Sequence, residues 1–517
     1  MSAKIAVISD IHLSNEPGTA QEAALAYALN RLQSEKPDVV LLIGDVTAAG
    51  TLESADRVRT TLDESGLCFR MIPGNSDERT PDLRSAVTDR LTVDAPFYSD
   101  EYAACLLDIH DGKVGPRGID NLKTLMETAG ARRIILGSHY PIAACMEDPY
   151  VHSLIKEEKI SLFIGAHVHR DQERRMGKMS VHTVRGLDPD KAIGAPPAVA
   201  LFELRDREWR TFQIPFEEGI VTNWSTLMRQ EFIDHLGFSC MAKSLEGLHC
   251  ASLHNVRCVE LRAQNSLVVP REDLLNAVRH WRDSGGKYLS MHMPDLMYDS
   301  ESSAITGICA FREAVSLALA LGVEHMLLHV PHVSVGQMRP DSEIRVNLAG
   351  TFLELVKEPI AKGTVVGVEN LHMNLDEPAD NSRGFGYLPE ECLEWVKSLR
   401  KTSGYDRIGI HLDIGHARNN LPLSKKCSLG QWYARVGREA VGYHLHQVVL
   451  IKGEMKNHYP IMDVYGPLIS LSSFFWGWKT GGLCHAPMLL EIRSDNLEDT
   501  VDSLQYMRQH IRGELSS

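Results

Sequence analysis

The stretch KIAVISDIH (4–12) is a short apolar run that ends in two polar side chains, Asp10 and His12. Short apolar runs bounded by polar residues predict strands that are buried in a sheet. The same form returns four times before residue 170, in DVVLLIGD (38–45), LCFRMIPG (67–74), RRIILGSH (132–139) and SLFIGAH (161–167). Segments with helical spacing, such as 21–33 and 53–65, separate the first of these runs. The pattern predicts an α/β fold.

A second βα series begins near residue 232, after an alternating segment (199–214) that predicts an antiparallel hairpin. Its strand-like runs are HLGFSCM (235–241), VRCVEL (256–261), YLSMH (288–292), HMLLH (325–329), TVVGVE (364–369), RIGIHLD (407–413), VGYHLH (441–446) and MLLEI (488–492). Eight such units in about 285 residues match the size of a (β/α)8 TIM barrel. One core rarely exceeds ~250–300 residues, so a chain of 517 residues favours two domains. We therefore predict one domain at 1–217 and a second at 218–517.

Composition excludes several classes of protein. Hydrophobic residues make up 44% and charged residues 24%, which is not typical of a disordered or fibrous chain. The net charge of −14 does not favour binding to nucleic acid through the phosphate backbone. The ten Cys residues form no CxxC pair, which indicates reduced thiols. The sequence has no long apolar run or signal-peptide pattern, so we expect no membrane association and a cytoplasmic location.

Polar clusters follow the predicted strands of the first domain, at the strand ends where open α/β sheets place their sites. Together they supply carboxylate and amide oxygens and imidazole nitrogens, from Asp10, His12, Asp45, Asn75, His139, His167 and His169. A mixed nitrogen and oxygen set suits Mn, Fe or Zn better than Mg. Seven ligands are enough for two ions if one carboxylate bridges them.

The order of these motifs is DxH (10–12), GD (44–45), GN (74–75), a single His (139) and HxH (167–169). It resembles the calcineurin-like metallophosphoesterase superfamily across residues 4–214. The resemblance implies an αββα sandwich and a dinuclear centre that activates water for in-line attack on phosphorus. It implies one ion held or bordered by Asp10, His12, Asp45 and His169, and a second held by Asp45, Asn75, His139 and His167. Asn75 and His139 are also the candidate catalytic residues of this half.

Two positions depart from the superfamily pattern. Ser76 occupies the place of the histidine that protonates the leaving group, which is more similar to phosphodiesterases acting on good leaving groups. Ser76 is itself interpreted as a turn residue. The last motif has Ala166 inserted between its Gly and its first His, although the HxH spacing is kept.

Ligand-type side chains also end the predicted barrel strands, at the face where barrel enzymes place their sites. They are Glu260, His292, His329, Glu369, Asp413, His444, His446 and Glu491, and the loops add His416 and His458. Four carboxylates at one apolar rim favour a metal, because a buried carboxylate is costly unless it is paired. We interpret His446, His332 and His372 as loop or core histidines. Glu260 is expected to pair with an arginine or to orient a ligand histidine.

The segments SMHMP, LLHVPH, GVEN, HLDIGHA, YHLHQ and LEIR resemble the xylose-isomerase-like TIM barrels over residues 232–510. This group includes sugar isomerases, epimerases and endonuclease IV. The resemblance implies a shared metal site formed by Glu369, Asp413, His444 and Glu491. In an isomerase, Glu369 and Glu491 would pass a proton between adjacent carbons and are the candidate catalytic residues. The endonuclease IV set adds His292, His329, His416 and His458, with Lys456 in place of one carboxylate ligand.

Three functions are consistent with these features. The first is a metallophosphoesterase with two metal ions, fused to a second metal-dependent hydrolase of endonuclease IV type. The barrel is expected to hold one to three ions, of which one favours an isomerase and two or three favour the nuclease-like hydrolase. The second couples the phosphatase to a sugar or sugar-phosphate isomerase or epimerase, and the third makes the barrel a non-catalytic ligand-binding module. The expected substrate is a small phosphorylated molecule, namely a nucleotide, a cyclic phosphate or a sugar phosphate. Nucleic acid is possible but not favoured, and the sequence gives no indication of oligomeric state.

Overall fold

The computed structural model describes residues 3–110, 112–241, 243–374, 376–493 and 497–515. The chain forms two compact units. The first comprises Met1–Ile220 together with Ser470–Trp476, and the second comprises Val221–Ile469 and Gly477–Ser517. Among the described residues, none of the helices has the length and apolar character needed to cross a membrane.

Among the described residues, the first unit contains two large sheets and a small two-stranded sheet. Its strands are β1 (Lys4–Ile8), β2 (Val39–Ile43), β3 (Phe69–Ile72), β4 (Phe97–Tyr98), β5 (Tyr102–Leu107), β6 (Ile109–His110), β7 (Lys113–Val114), β8 (Arg133–Ser138), β9 (Ile160–Gly165), β10 (Gln172–Met176), β11 (Met179–Thr183), β12 (Ala198–Arg205) and β13 (Glu208–Pro215). Its helices are α1 (Ala20–Glu35), α2 (Leu52–Ser65), α3 (Arg84–Leu91), α4 (Pro116–Thr128), α5 (Ile142–Cys145) and α6 (Pro149–Lys156). One large sheet has the order β13-β12-β1-β2-β3, the other has the order β10-β11-β9-β8-β5-β4, and β6 pairs with β7 in the small sheet.

The alternation of side chains along the central strands creates the layers of this unit. In β1, Ile5 and Val7 pack between the two sheets, whereas Ala6 and Ile8 pack under α1, α2 and α3. The outer face of the second sheet is covered by α4, α5 and α6. Because successive strand residues point to opposite faces, one apolar run supplies two cores. The predicted αββα sandwich is confirmed, and β12 and β13 form the predicted hairpin.

The second unit is a closed barrel. Its strands are β14 (Leu236–Cys240), β15 (Cys258–Arg262), β16 (Tyr288–His292), β17 (Met297–Asp299), β18 (Ala304–Thr306), β19 (His325–His329), β20 (Val365–Glu369), β21 (Ile408–Asp413), β22 (Ala440–Leu445), β23 (Gln447–Ile451), β24 (Glu454–Tyr459) and β25 (Met488–Leu490). Its helices are α7 (Thr226–His235), α8 (Ser244–Leu253), α9 (Ala263–Ser266), α10 (Arg271–Asp283), α11 (Ile308–Leu321), α12 (Glu343–Ala361), α13 (Pro389–Ser403), α14 (Ile414–Arg418), α15 (Leu429–Val436), α16 (Ser472–Thr480), whose first residues belong to the first unit, and α17 (Glu498–Arg512). The barrel order is β14-β15-β16-β19-β20-β21-β22-β25, with parallel neighbours throughout. The predicted TIM barrel is confirmed.

Candidate functional site

One group of ligand-type side chains in the first unit consists of Asp10, His12 and His169. One potential ligand atom from each lies within 4.8 Å of those of the other two. His169 Nε2 is 3.5 Å from Asp10 Oδ1, and the rings of His12 and His169 stack with centroids 5.4 Å apart. All three residues have a positive φ, between 50° and 52°, which non-glycine residues seldom adopt. Strained backbone of this kind concentrates at functional sites.

A second group lies beside it and consists of Asp45, His139 and His167, whose ligand atoms also lie within 4.8 Å of one another. His139 Nε2 is 3.1 Å from Asn75 Oδ1 and 3.2 Å from His167 Nδ1. Gly44 makes this approach possible, because a Cβ on its backbone (φ 86°) would lie 2.6 Å from the His139 ring. The structure thus gathers all seven side chains predicted for this half into two adjacent groups.

Asp45 lies between the two groups. Its Oδ2 is 3.1 Å from His12 Nε2, and its Oδ1 is 3.3 Å from His139 Nε2. Burial acts to raise the pKa of Asp45, but His139 and His12 hold it well below its usual range. The carboxylate is therefore ionised at neutral pH and offers one oxygen to each group, which is the geometry of a bridging ligand.

The unpartnered polar atoms of these groups fit a cation. Asp10 Oδ1 and His169 Nδ1 are buried without a hydrogen-bond partner among the described residues. Burial lowers the pKa of His169 to about 4, so its ring is a neutral donor of a lone pair. Buried polar atoms without a partner are costly, and two imidazole nitrogens 3.2 Å apart can share an ion. Divalent metals, which calcineurin-like phosphoesterases use, suit this donor set.

Two buried aspartates support the site, and the sequence interpretation did not include them. Asp188 Oδ2 lies 3.2 Å from His12 Nδ1, and its Oδ1 accepts a 2.8 Å hydrogen bond from Gln21 Nε2. Asp77 accepts hydrogen bonds from the backbone N–H groups of Val46, Thr47 and Gly74 at 2.7–3.1 Å. Asp77 thereby ties the loop after β2 to the loop after β3.

Ser76 contributes to the scaffold. Its side chain is buried, and its hydroxyl donates a 2.6 Å hydrogen bond to the Thr47 carbonyl. Its backbone N–H donates to Asp45 Oδ1 at 2.7 Å. Ser76 is thus both a turn residue, as interpreted from the sequence, and a backbone donor that orients Asp45.

Near these loops, His110 lies between two carboxylates. Its Nδ1 contacts Glu78, and its Nε2 is 3.0 Å from Asp108 Oδ2. The contact with Asp108 raises the pKa of His110 against the effect of burial, and Glu78 adds to the rise. The protonated ring joins the turn after β3, which carries Glu78, to Asp108 between β5 and β6.

In the barrel, His292, His329 and Glu369 form a third group at the ends of β16, β19 and β20. Both His292 Nε2 and His329 Nε2 are 3.4 Å from Glu369 Oε2. His329 Nδ1 lies 2.6 Å from Asp295, which also approaches His332 at 3.5 Å. The sequence analysis did not single out Asp295. It interpreted His332 as a loop or core histidine, but the structure places His332 in one group with Asp295 and His329.

A fourth group consists of His416, His446 and His458. His446 Nε2 lies 3.1 Å from Asp413 Oδ1, and His416 Nδ1 lies 3.4 Å from Asp413 Oδ2. His446 was interpreted as a loop or core histidine, but the structure places it among ligand-type side chains. It lies just beyond β22, and residues two apart in a strand share a face, so His444 and His446 lie on the same face of the barrel wall.

His444 lies deeper and contacts three glutamates. Its Nδ1 is 3.0 Å from both Glu369 and Glu491, and its Nε2 is 3.1 Å from Glu260. Burial acts to lower the pKa of His444, but Glu260 and Glu369 raise it to about 10. The expected role of Glu260 in orienting a histidine agrees with this contact. Glu491 in turn contacts Arg262.

A cavity of about 640 Å³ opens beside the fourth group. Its lining includes His416 and His458, together with His372, Lys456 and Arg493. Lys456, which replaces a carboxylate of the endonuclease IV pattern, pairs with Glu454 at 2.5 Å. The cavity therefore has cationic side chains next to candidate metal ligands.

Comparison with known families agrees with the two folds. The model of the calcineurin-like phosphoesterase family matches residues 3–171, and the model of the xylose isomerase-like TIM barrel family matches residues 249–510. The chain belongs to the xylose isomerase-like TIM barrel family, and its first unit contains a calcineurin-like phosphoesterase domain. Its phosphoesterase unit carries the first two groups of side chains, and its barrel carries the other two.

The phosphoesterase unit is similar to curated proteins. The 3′,5′-cyclic adenosine monophosphate phosphodiesterase CpdA of Pseudomonas aeruginosa is 24% identical over 201 residues, which cover 34% of this chain and 74% of that protein. A protein of Synechococcus sp. named a probable cyclic nucleotide phosphodiesterase is 23% identical over 192 residues, which cover 33% of this chain and 74% of that protein.

The barrel is similar to solved structures of low sequence identity. A D-tagatose 3-epimerase-like protein is 20% identical with a TM-score of 0.39, covering 55% of this chain and 100% of that one. The 3-keto-D-glucoside 4-epimerase of E. coli is 14% identical with a TM-score of 0.36, and the match covers 53% of this chain and 99% of that one. At these TM-scores, neither similarity carries an argument about activity.

Proposed function

We propose that the first unit is a metal-dependent phosphodiesterase that hydrolyses cyclic nucleotides or similarly small phosphodiesters. The position of Asp45 carries the proposal, because its two oxygens face separate groups of imidazole and carboxylate donors. The substrate class is supported by the two relatives, one named a cyclic AMP phosphodiesterase and the other a probable cyclic nucleotide phosphodiesterase. The loss of the leaving-group histidine at Ser76 agrees with a diester substrate.

In this proposal Asp10, His12 and His169 hold one ion, His139, His167 and Asn75 hold the other, and Asp45 joins them. Bound divalent ions would supply Lewis-acid stabilisation of phosphoryl oxygens and a more acidic water. Asn75 and His139, whose side chains are 3.1 Å apart in the second group, are retained as the candidate catalytic residues of this unit.

The test uses the full-length protein, stripped with EDTA and reloaded with Mn²⁺. Asp45→Asn is expected to abolish hydrolysis of bis-p-nitrophenyl phosphate and of a cyclic nucleotide, since it removes the charge between the two groups. Glu369→Gln, a matched carboxylate-to-amide change in the barrel, is expected to leave both activities intact. Undiminished turnover by Asp45→Asn would refute the assignment, and equal loss in both variants would indicate one composite site.

For the barrel, we propose a second metal-dependent phosphoester hydrolase of endonuclease IV type. The three-imidazole group of His416, His446 and His458 supports this choice, because a single-metal isomerase site has no need of it. The cavity beside that group includes Lys456 and Arg493, which favours an anionic, phosphorylated substrate. We add His446 to the predicted ligands and retain His444 as a prediction.

A sugar or sugar-phosphate isomerase or epimerase is the second candidate for the barrel. The approach of Glu369 and Glu491 to the same His444 nitrogen favours it, because paired carboxylates could pass a proton between neighbouring carbons. Metal stoichiometry separates the candidates: two or three ions lost in Glu369→Gln would support the hydrolase, and one would support the isomerase. A panel of cyclic nucleotides, sugar phosphates and abasic DNA, run on the full chain, would then identify the reaction.

A further inference from the structure

The loop between β11 and β12 brings a buried carboxylate to the first candidate ion site. Asp188 has no exposed surface, and its Oδ2 lies 3.2 Å from His12 Nδ1. Backbone hydrogen bonds from Leu187 to Ser9 and from Asp188 to Asp10, both 2.9 Å, fix this loop against the segment that carries His12. The position of the carboxylate is therefore set by main-chain contacts.

The two nitrogens of the His12 ring face different partners. Nδ1 faces Asp188, whereas Nε2 lies 3.1 Å from Asp45 Oδ2, the oxygen that Asp45 offers to the first group. Asp188 and Asp45 are both acceptors, so a neutral His12 ring can donate to only one of them. An ion bound on the side of Asp45 would need the lone pair of Nε2, and the ring proton would then be on Nδ1, beside Asp188. Nε2 then keeps its lone pair on the side of the candidate centre.

We propose that Asp188 is a positioning residue that fixes the tautomer and ring orientation of His12, and so sets the metal affinity of the first unit. The inference rests on the proposed metal-dependent function and deepens it. Histidines that ligate metals commonly donate their other N–H to a carboxylate, and loss of that carboxylate costs about 10–100-fold in affinity.

Gln21 makes the substitution Asp188→Asn informative. Gln21 Nε2 donates a 2.8 Å hydrogen bond to Asp188 Oδ1 and needs an acceptor at that position. In Asp188→Asn, the amide oxygen would therefore occupy the position of Oδ1. The amide NH₂ would then face His12 Nδ1, and Nδ1 would have to be unprotonated to accept a hydrogen bond from it. The proton of His12 would move to Nε2, where it blocks the lone pair that faces the centre.

Asp190→Asn is the matched control. Asp190 is nearly as buried, with 3% of its surface exposed, and its Oδ2 accepts a 2.7 Å hydrogen bond from the same Gln21 amide. The change removes a buried negative charge from the same network while leaving Asp188 beside His12. A general effect of charge or of local stability would therefore affect both variants alike.

The experiment titrates Mn²⁺ into EDTA-stripped full-length protein by calorimetry. The binding events that Asp45→Asn abolishes define the ions of the first unit. We expect Asp188→Asn to weaken these events about 10–100-fold. Asp190→Asn should change them less than about 3-fold, and the thermal midpoints of the two metal-free variants should match within about 2 °C, since 1 kcal/mol corresponds to about 2–4 °C for a unit of this size.

Two results would overturn the inference: wild-type affinity in Asp188→Asn, or an equal loss in Asp190→Asn. Failure of the proposed function gives a different pattern. If wild-type protein binds Mn²⁺ at the events defined by Asp45→Asn but hydrolyses no phosphodiester, the phosphodiesterase proposal fails while the role of Asp188 is still measured. If no binding depends on Asp45, both proposals fail.

Discussion

Asp77 is the buried support of the phosphoesterase site, and its replacement gives a prediction with a calculable magnitude. Its Oδ2 accepts from the N–H groups of Gly74 (2.8 Å) and Val46 (3.1 Å), and its Oδ1 accepts from the N–H and hydroxyl of Thr47 (both 2.7 Å). Asp77→Asn keeps one acceptor oxygen, so at least one backbone N–H loses its partner. Asp77→Ala leaves three without one.

A buried donor without a partner costs about 1–3 kcal/mol. We therefore expect Asp77→Asn to destabilise the first unit by about 1–3 kcal/mol and Asp77→Ala by about 3–9 kcal/mol. For a unit of this size, 1 kcal/mol lowers the thermal midpoint by about 2–4 °C. Differential scanning calorimetry of the full chain would measure the shift, with the exposed Asp82→Asn as a control for loss of charge. Shifts of Asp77→Asn and Asp77→Ala no larger than that of Asp82→Asn would refute this account of the loop.

Three further results are expected. Gly186→Ala should weaken Mn²⁺ binding by the first unit at least 10-fold without unfolding it, because its Cβ would lie 2.8 Å from Asp10 Cβ and His169 Nδ1; calorimetric titration would measure it. His110→Ala should lower the thermal midpoint most below about pH 6.5 and progressively less as pH rises through the elevated folded pKa of His110, since a raised pKa stabilises the fold only while the ring is protonated. A fragment of residues 1–220 should melt below the first unit of the full chain, because that unit includes a segment from the far end of the sequence; equal melting temperatures would contradict this.

The main strands of both units could be predicted because each contains a continuous apolar run. Strands covered on both faces need such runs, and polar residues or glycine mark where they end. The strands β17, β18 and β24 carry only exposed or partly buried side chains and show no comparable pattern. The membership of Ser470–Trp476 in the first unit depends on tertiary packing, which the local pattern of the sequence does not encode.

The residues of the candidate site could be predicted only where a ligand-type side chain comes directly after a strand. Asp10, Asp45 and His139 stand one or two residues beyond apolar runs, so their position indicated their role. Asp188 lies 176 residues from His12, which it contacts, in a Pro-containing segment of the kind that is typical of turns. The two acidic residues that flank Pro189, Asp188 and Asp190, were the available signal. His446 was interpreted as a loop or core histidine because the sequence does not reveal how far the barrel face extends past β22.

The two units hold their ligand-type side chains in different ways, and this difference determines how mutations should act. In the first unit, Asp10, His12, Asp45, His167 and His169 have φ between 50° and 74°, each at a cost of order 1–3 kcal/mol. They are kept there by loop contacts such as those of Asp77 and Asp188, so a loop substitution can disrupt the site and spare the cores. In the barrel, Glu369 and Asp413 end regular strands, and His444 is buried among the glutamates beneath the mouth. Substitution there removes a partner from a buried charge network, so stability and ligand geometry should change together.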